Sequence, residues 1–329
     1  MDVSRQQAEA TNLLPLVHRV LDQYPFGIRE VTHLATHSNV LYRVVRDNKQ
    51  EFVLRVGTPH ANHRSNIEIE VEWLDAIKRD TNLDVVTPIH TADGGLIVDE
   101  FDDQIEKERS CVLFSWIPGQ PMGTGSGPFA YRLLGTMCAA LQAHGRTWTP
   151  PEAATPRRWD QVFYYEEDFD PIVIDNPRFG HLFDISRRKM ILRAFALSQT
   201  VIDESYAESS APQIVHGDLH EWNVHFAGAR LYAFDFEDVM LALPAQDVSI
   251  CLYSSRNSEI RDDIRSAFRK GFESIAPWPV VDDRQLDAFH AARQIMLMNY
   301  AARTLRTHEA AEFLDHVMPW LERYVERYG

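Results

Sequence analysis

The sequence predicts an α+β protein of two lobes, a small antiparallel sheet carrying one inserted helix followed by a larger, mainly helical part. Three observations predict it. Short apolar runs with strand alternation crowd the first hundred residues. An apolar strand then breaks at Pro118-Gly119. Beyond that point, the apolar residues recur mostly at helical spacing. A chain of 329 residues has the length for two such parts and a sizeable core.

The elements follow in order. Thr11 or Asn12 caps a first helix whose apolar positions are Leu13, Leu16, Val17, Val20 and Leu21, and which stops before Pro25. Strands are expected over Ile28 to Leu34, Val40 to Val45 and Phe52 to Val56, with Asp47-Asn48 turning between the last two. A charged helix from about Asn62 to Arg79 puts Ile67, Val71, Leu74 and Ile77 on one face. Gly94-Gly95 turns into the strand Leu96-Ile97-Val98, and Cys111 to Gly119 forms the connection between the lobes. The lobe boundary therefore falls at residues 1–117 and 118–329. In the second lobe, helices are expected over Phe129 to His144, about Phe183 to Tyr206, and most of Glu259 to Tyr328.

The chemistry concentrates in His216-Gly217-Asp218-Leu219-His220-Glu221-Trp222-Asn223 and, after a hairpin, Phe234-Asp235-Phe236-Glu237-Asp238. Gln213-Ile214-Val215 approaches the first block. Val224-His225-Phe226 and Leu231-Tyr232-Ala233-Phe234 make two strands around Gly228-Ala229, so loop and strand ends are expected to turn Asp218, Asn223 and Asp235 towards one cleft. Phosphoryl transfer asks for such a set: a carboxylate that takes the hydroxyl proton, and oxygen ligands that hold Mg²⁺ on the phosphates. Asp218 suits the first role. Asn223 and Asp235 suit the second, since Mg²⁺ is a hard cation that takes oxygen donors.

With these residues in view, the chain resembles the aminoglycoside phosphotransferase and choline kinase family of the protein-kinase-like fold. Gly217 stands where protein kinases have the arginine of H-R-D, and Glu237 where they have the glycine of D-F-G. Both departures point away from eukaryotic-type protein kinases, and the H-G-D form and the short stretch from Asp235 to Pro244 favour a small-molecule acceptor. The resemblance implies that Asp247 braces the catalytic loop. It implies that Arg55, on the third strand, replaces the usual lysine against the α/β-phosphates, and that Glu70, in the family's E-x-x-W-L pattern, sets it. Glu68 and Glu72 are the alternative partners. A guanidinium holds phosphate oxygens bidentately, so Arg55 suits the task electrostatically. The segment at Ser38 and Asn39, without glycines, is open as the phosphate loop or as an ordinary hairpin turn, and the adenine edge is expected on the backbone of Ser115 to Ile117. Trp116 serves there either as a plug or as a stacking ring. The expected cofactors are ATP, with GTP left open, and Mg²⁺.

For the acceptor, the aromatic and acidic run 159–170, His220, Trp222 and Asp238 are open as substrate contacts or as packing and surface residues. A formal net charge of −15 argues against sequence-independent nucleic-acid binding and suits a cationic acceptor. No apolar run reaches about 18 residues, so no transmembrane span is expected. The polar residues Met1 to Glu9 lack a secretory pattern. Cys111, Cys138 and Cys251 are far apart in apolar contexts, as reduced buried thiols of a cytoplasmic protein are. The activity expected is transfer of the γ-phosphoryl of ATP to a hydroxyl of an aminoglycoside-, choline-, homoserine- or sugar-like molecule. The alternatives are a bacterial protein Ser/Thr kinase of the same fold and a nucleotide-binding regulator without turnover.

Overall fold

The computed structural model describes residues 3–59, 63–123, 125–165, 170–208 and 212–329. In chain order, the elements are α1 (Val3–Asn12), α2 (Leu14–Leu21), β1 (Ile28–Thr36), β2 (Asn39–Arg46), β3 (Glu51–Gly57), α3 (Arg64–Asp80), β4 (Val98–Asp102), β5 (Lys107–Ser115) and β6 (Gln120–Pro121). Then come α4 (Pro128–Gly145), β7 (Arg157–Arg158), α5 (Ile185–Glu208), β8 (Gln213–Val215), β9 (Val224–Ala227) and β10 (Arg230–Ala233). The chain closes with β11 (Met240–Ala242), α6 (Pro244–Leu252), α7 (Arg261–Phe272), α8 (Asp283–Thr304) and α9 (Thr307–Tyr328). It divides into two compact units. The first takes in residues 1–121, 149–156 and 224–238, the second 122–148, 157–223 and 239–329.

The first unit is built on an antiparallel sheet in the order β1-β2-β3-β5-β4. Alternation along β2 and β3 sends Val40, Tyr42, Val44, Phe52, Leu54 and Val56 into one core with Leu16, Val17, Val20 and Leu21 of α2. The Tyr42 hydroxyl donates to the carbonyl of Ala10 (2.7 Å), tying α1 to the sheet. Three details correct the sequence reading. Thr11 and Asn12 end α1, and the cap position of α2 is Leu13, whose helical backbone (φ −81°, ψ −10°) runs one helix into the next. The turn after β2 is longer than Asp47-Asn48, with Lys49 in the left-handed region at φ 69°. After Gly94, Leu96 and Ile97 stay outside the strand, which starts at Val98. Of the expected helix over 62–79, Asn62 lies outside the described residues and His63 is the extended N-cap; from Arg64 on it is α3, with Ile67, Val71, Leu74 and Ile77 buried.

The β9–β10 hairpin also belongs to this unit. Phe226 pairs with Gln120 of β6, while Ala233 exchanges backbone hydrogen bonds with Asp84 and Val86 (2.9 Å each). An Arg230–Asp84 ion pair (2.7 Å) lies beside them on the surface.

The second unit is helical around a small sheet, β7-β11-β8. Helices α4 and α7 cross at glycines: a Cβ on Gly135 would come 2.1 Å from the carbonyl oxygen of Phe268, and one on Gly271 would come 1.9 Å from that of Arg132. Only glycine allows backbones to pass so closely. Helix α6 opens with Pro244 at its start, and the Gln246 side chain accepts from the Leu243 N–H (2.8 Å). Residues 245–252 are all buried, which is why no amphipathic period betrays this helix in the sequence. Among the described residues, no helix is long and apolar enough to cross a membrane.

Candidate functional site

In the first unit, the residues expected to hold nucleotide gather around Arg55. Glu70 shares the buried face of α3 with Ile67 and Leu74, three residues before and four after it, and so points at β3. The pair is buried and bidentate, Nη1 to Oε1 at 2.9 Å and Nη2 to Oε2 at 2.5 Å. The same guanidinium lies 5.0 Å from the ring centroid of Phe114. Glu68 instead pairs with Arg64 on the surface (2.9 Å).

Glu237 joins this group, a residue to which sequence reasoning gave no role. Its Oε1 accepts from Arg55 Nη1 (3.0 Å) and from Asn39 Nδ2 (2.5 Å). The intervening Phe236 is fully buried and packs edge-on against Trp73 (5.6 Å), which fixes the flanking Asp235 and Glu237. Asp235 has φ 63°, a left-handed backbone uncommon outside glycine and typical of constrained functional positions. Burial pushes the Glu237 carboxyl up, and Arg55 works against that shift. One guanidinium thus faces Glu70 and Glu237 and also feels the charge of Asp235. A cavity of about 80 Å³ opens beside it, lined by Asn39, Arg55, Arg109 and Glu237 among others.

Ser38 is exposed in the two-residue turn between β1 and β2. Asn39, at the start of β2, reaches Glu237, so of the two expected loop residues only Asn39 joins the Arg55 group. Ser115 ends β5, where its N–H donates to Thr87 O (2.8 Å) and its Oγ accepts from Thr87 N–H (3.0 Å). The Trp116 N–H donates to Glu51 O (3.3 Å), and its exposed ring is no buried plug. Ile117 follows, partly exposed.

In the second unit, β8 delivers the buried His216 and then Gly217 at φ 80° into Asp218. This φ explains why glycine, and no arginine, precedes the aspartate: a side chain there would be strained. Asp247, in the first turn of α6, is fully buried and accepts from the Gly217 N–H (3.0 Å) and from Gln142 Nε2 (3.2 Å). Burial pushes its carboxyl up to about 6 against these hydrogen bonds.

Asp218 sits among donors. Asn223 Nδ2 donates to its Oδ2 and to its carbonyl oxygen (2.9 Å each), His220 Nε2 is 3.3 Å from Oδ2, and Arg293 of α8 pairs with Oδ1. Burial alone would raise this carboxyl; Arg293 and His220 outweigh it and hold Asp218 below the usual carboxylate range. Trp222 is half exposed and does not pack into the unit. Arg293 had no sequence signal: it lies on one face of a long helix, 75 residues from its partner.

The aromatic run 159–170 is partly core. Trp159 is buried and packs on Tyr164 (5.2 Å), while the buried Asp170 pairs with Arg303. Glu166 to Phe169 lie outside the described residues. The three cysteines are buried free thiols. Among the described residues, no group of three or more His, Cys, Asp or Glu side chains forms a metal cluster.

Residues 30–289 match the phosphotransferase enzyme family. The chain belongs to that family. It is 27% identical over 242 residues to an uncharacterized protein of Synechocystis sp., a match covering 72% of this chain. It is 22% identical over 255 residues to amicoumacin kinase of Bacillus subtilis, covering 70% of this chain. The matches span 63% and 65% of those relatives' own lengths, a little under two thirds.

Among solved structures, a microcompartment-associated aminopropanol kinase superposes with a TM-score of 0.78 at 20% identity, covering 96% of this chain and 98% of that one. An amicoumacin kinase in complex with AMP-PNP, Ca²⁺ and Ami gives 0.76 at 17%, covering 98% and 96%. A spectinomycin phosphotransferase with ADP and spectinomycin gives 0.66 at 14%, covering 95% and 97%. These likenesses establish the family's kinase-like α+β fold for this chain.

Proposed function

We propose that the protein transfers the γ-phosphoryl group of ATP to a hydroxyl of a small molecule, with Asp218 as the base. The observation that carries this reading is the setting of Asp218: an ionised carboxylate oriented by Asn223, Arg293 and His220 on a loop tied to buried Asp247. A positioned carboxylate of this kind takes the proton of an attacking hydroxyl. Arg55, set by Glu70, is the cation for the α/β-phosphates, and Asn39 is the phosphate-loop contact. Ser38 is a second, exposed contact in that loop, and the adenine edge is assigned to the carbonyl of Ser115 and the backbone of Ile117.

A divalent cation suits this chain. The Arg55 group holds more carboxylate than cation, and Asp235 and Asn223 bring the oxygen donors that Mg²⁺ prefers. When bound, such an ion neutralises charge on the phosphates. The small-molecule acceptor is supported by Gly217 in place of arginine and by kinases of aminopropanol, amicoumacin and spectinomycin among the chain's likenesses.

The test is ADP release with Mg·ATP over a panel of aminopropanol, amicoumacin, spectinomycin, choline, homoserine, simple sugars and a generic protein. Stimulation by a small acceptor, absent in Asp218→Asn, is the expected result. Labelling of the protein alone would replace this reading with a protein kinase. A thermal shift with Mg·ATP and no turnover on any acceptor would favour a nucleotide-binding regulator.

A further inference from the structure

The helical unit contains a second cavity, about 290 Å³, where the starts of α7 and α8 meet the end of α9. Neither Asp218 nor any residue that touches it lines this space. In a chain of net charge −15, its wall carries five arginines against three aspartates. The aspartates are matched: Asp283 by Arg265 (2.6 Å), Asp287 by Arg327 (3.4 Å) and the Tyr328 hydroxyl (2.8 Å), and Asp262 by Arg261 (3.5 Å).

Two guanidiniums are left over. Arg256 donates only to neutral acceptors, the carbonyl (2.8 Å) and hydroxyl (3.1 Å) of Tyr253 and Gln294 Oε1 (2.5 Å). Arg323 donates to Asn257 Oδ1 (3.2 Å). Among the described residues, neither has a carboxylate within ion-pair distance; Glu221, whose charge reaches Arg256, is beyond it.

The floor adds an independent observation. His290 lines the cavity and is only 4% exposed. Its Nε2 lies 3.0 Å from the carbonyl oxygen of Ser249, an acceptor that requires the ring proton on Nε2. That leaves Nδ1 as a buried lone pair, and no donor meets it. Buried polar atoms of this kind are rare and ask for a partner. Trp320, edge-on to His290 (6.2 Å) and 5.3 Å from the Arg256 guanidinium carbon, adds an aromatic wall.

We infer that this cavity is a second ligand site, separate from the phosphoryl-transfer residues, for a small anion that also carries a hydroxyl. Arg256 and Arg323 receive the anionic oxygens, the ligand's hydroxyl donates to His290 Nδ1 directly or through one water, and its carbon frame lies on Trp320. A carboxylate and a phosphate ester share this chemistry.

Isothermal titration of the full chain, without nucleotide, separates the two sources by using malate and glycerol 3-phosphate as probes. Succinate, which lacks the hydroxyl, is the control. The expected result is saturable binding of at least one probe, weakened about tenfold or more in Arg323→Ala, as loss of a charge-assisted contact implies. Malate is expected to bind more tightly than succinate if the carboxylate arm is the one that binds. Asp218→Asn is expected to bind as the wild type does, and Arg323→Ala to keep its phosphoryl-transfer rate. No binding of either probe up to about 10 mM, far weaker than ordinary metabolite affinities, would overturn the site. So would unchanged affinity in Arg323→Ala, or loss of binding in Asp218→Asn. Equal affinity for succinate and malate would remove the role given to His290. Because the assay needs no turnover, its failure leaves the phosphotransferase reading untouched, and the reverse also holds.

Discussion

Two arginine–carboxylate groups, the buried one at Arg55 and the part-buried one at Asp218, are built in opposite senses. Around Arg55, one guanidinium answers Glu70 and Glu237 and feels Asp235, so the group is short of positive charge. Around Asp218, one carboxylate answers Arg293, His220 and Asn223, so that group is short of negative charge. The difference matches different tasks. A cation-poor group suits a site that gains a metal and polyphosphate together. A donor-rich setting keeps a base ionised and aimed.

The sharpest way to break this comparison is Asp218→Asn. Turnover should fall by about 10²–10⁴-fold, the usual contribution of a positioned base, with Mg·ATP affinity unchanged by titration. Near-normal turnover would remove Asp218 from the chemistry.

Arg55→Met should come next. It strands two carboxylates, Glu70 and Glu237, and should cost about 3–5 kcal/mol of stability in chemical denaturation, as loss of one partner of a buried pair does. Arg293→Met leaves Asp218 its Asn223 and His220 contacts and should cost less. Equal losses in the two variants would erase the contrast.

Asp247→Asn should be milder, about 1–3 kcal/mol, the cost of disturbing a buried hydrogen-bonded group. It also has a pH signature. The folded carboxyl, pushed up to about 6 by burial, binds its proton more tightly than an unfolded aspartate near about 3.9. Its contribution to stability is therefore present below the unfolded value and lost as pH rises through about 6. His290 runs the other way: burial and Arg256 lower it to about 3, so it destabilises the fold as pH falls below the usual histidine range. The difference between wild-type and Asp247→Asn melting curves over this range isolates the aspartate; a constant difference would reject its raised pKa.

The smallest effect sharpens the second group. Arg293 helps hold the Asp218 carboxyl low, so Arg293→Met should move the acid limb of the kcat/KM profile to higher pH. An unmoved limb would mean that His220 and Asn223 suffice.

What could be read from the sequence follows the range of the forces involved. Strands β1 to β3 and helix α3 show in local alternation and in the spacing of Ile67, Val71, Leu74 and Ile77, because neighbouring residues decide them. The Arg55–Glu70 pair was legible only through the family resemblance and its E-x-x-W-L pattern; its partners lie 15 residues apart on adjacent elements. Arg293 and Glu237 were not, since their partners lie 75 and 182 residues away and only tertiary packing selects them. Helix α6 was missed because it is buried all round, and α1 because its residues carry no apolar period of their own. The cap expected at Thr11 or Asn12 failed where one helix runs directly into another, a case in which capping signals lose their meaning.

The hydrogen bond from Gly217 to Asp247 gives the loop before Asp218 a clock. That amide proton is held by a carboxylate with no exposed surface, so it trades with solvent deuterium only when the surrounding helical unit opens. Its exchange rate thus reports, at a single glycine one residue from the proposed base, how often the folded state lets go of the Asp218 loop.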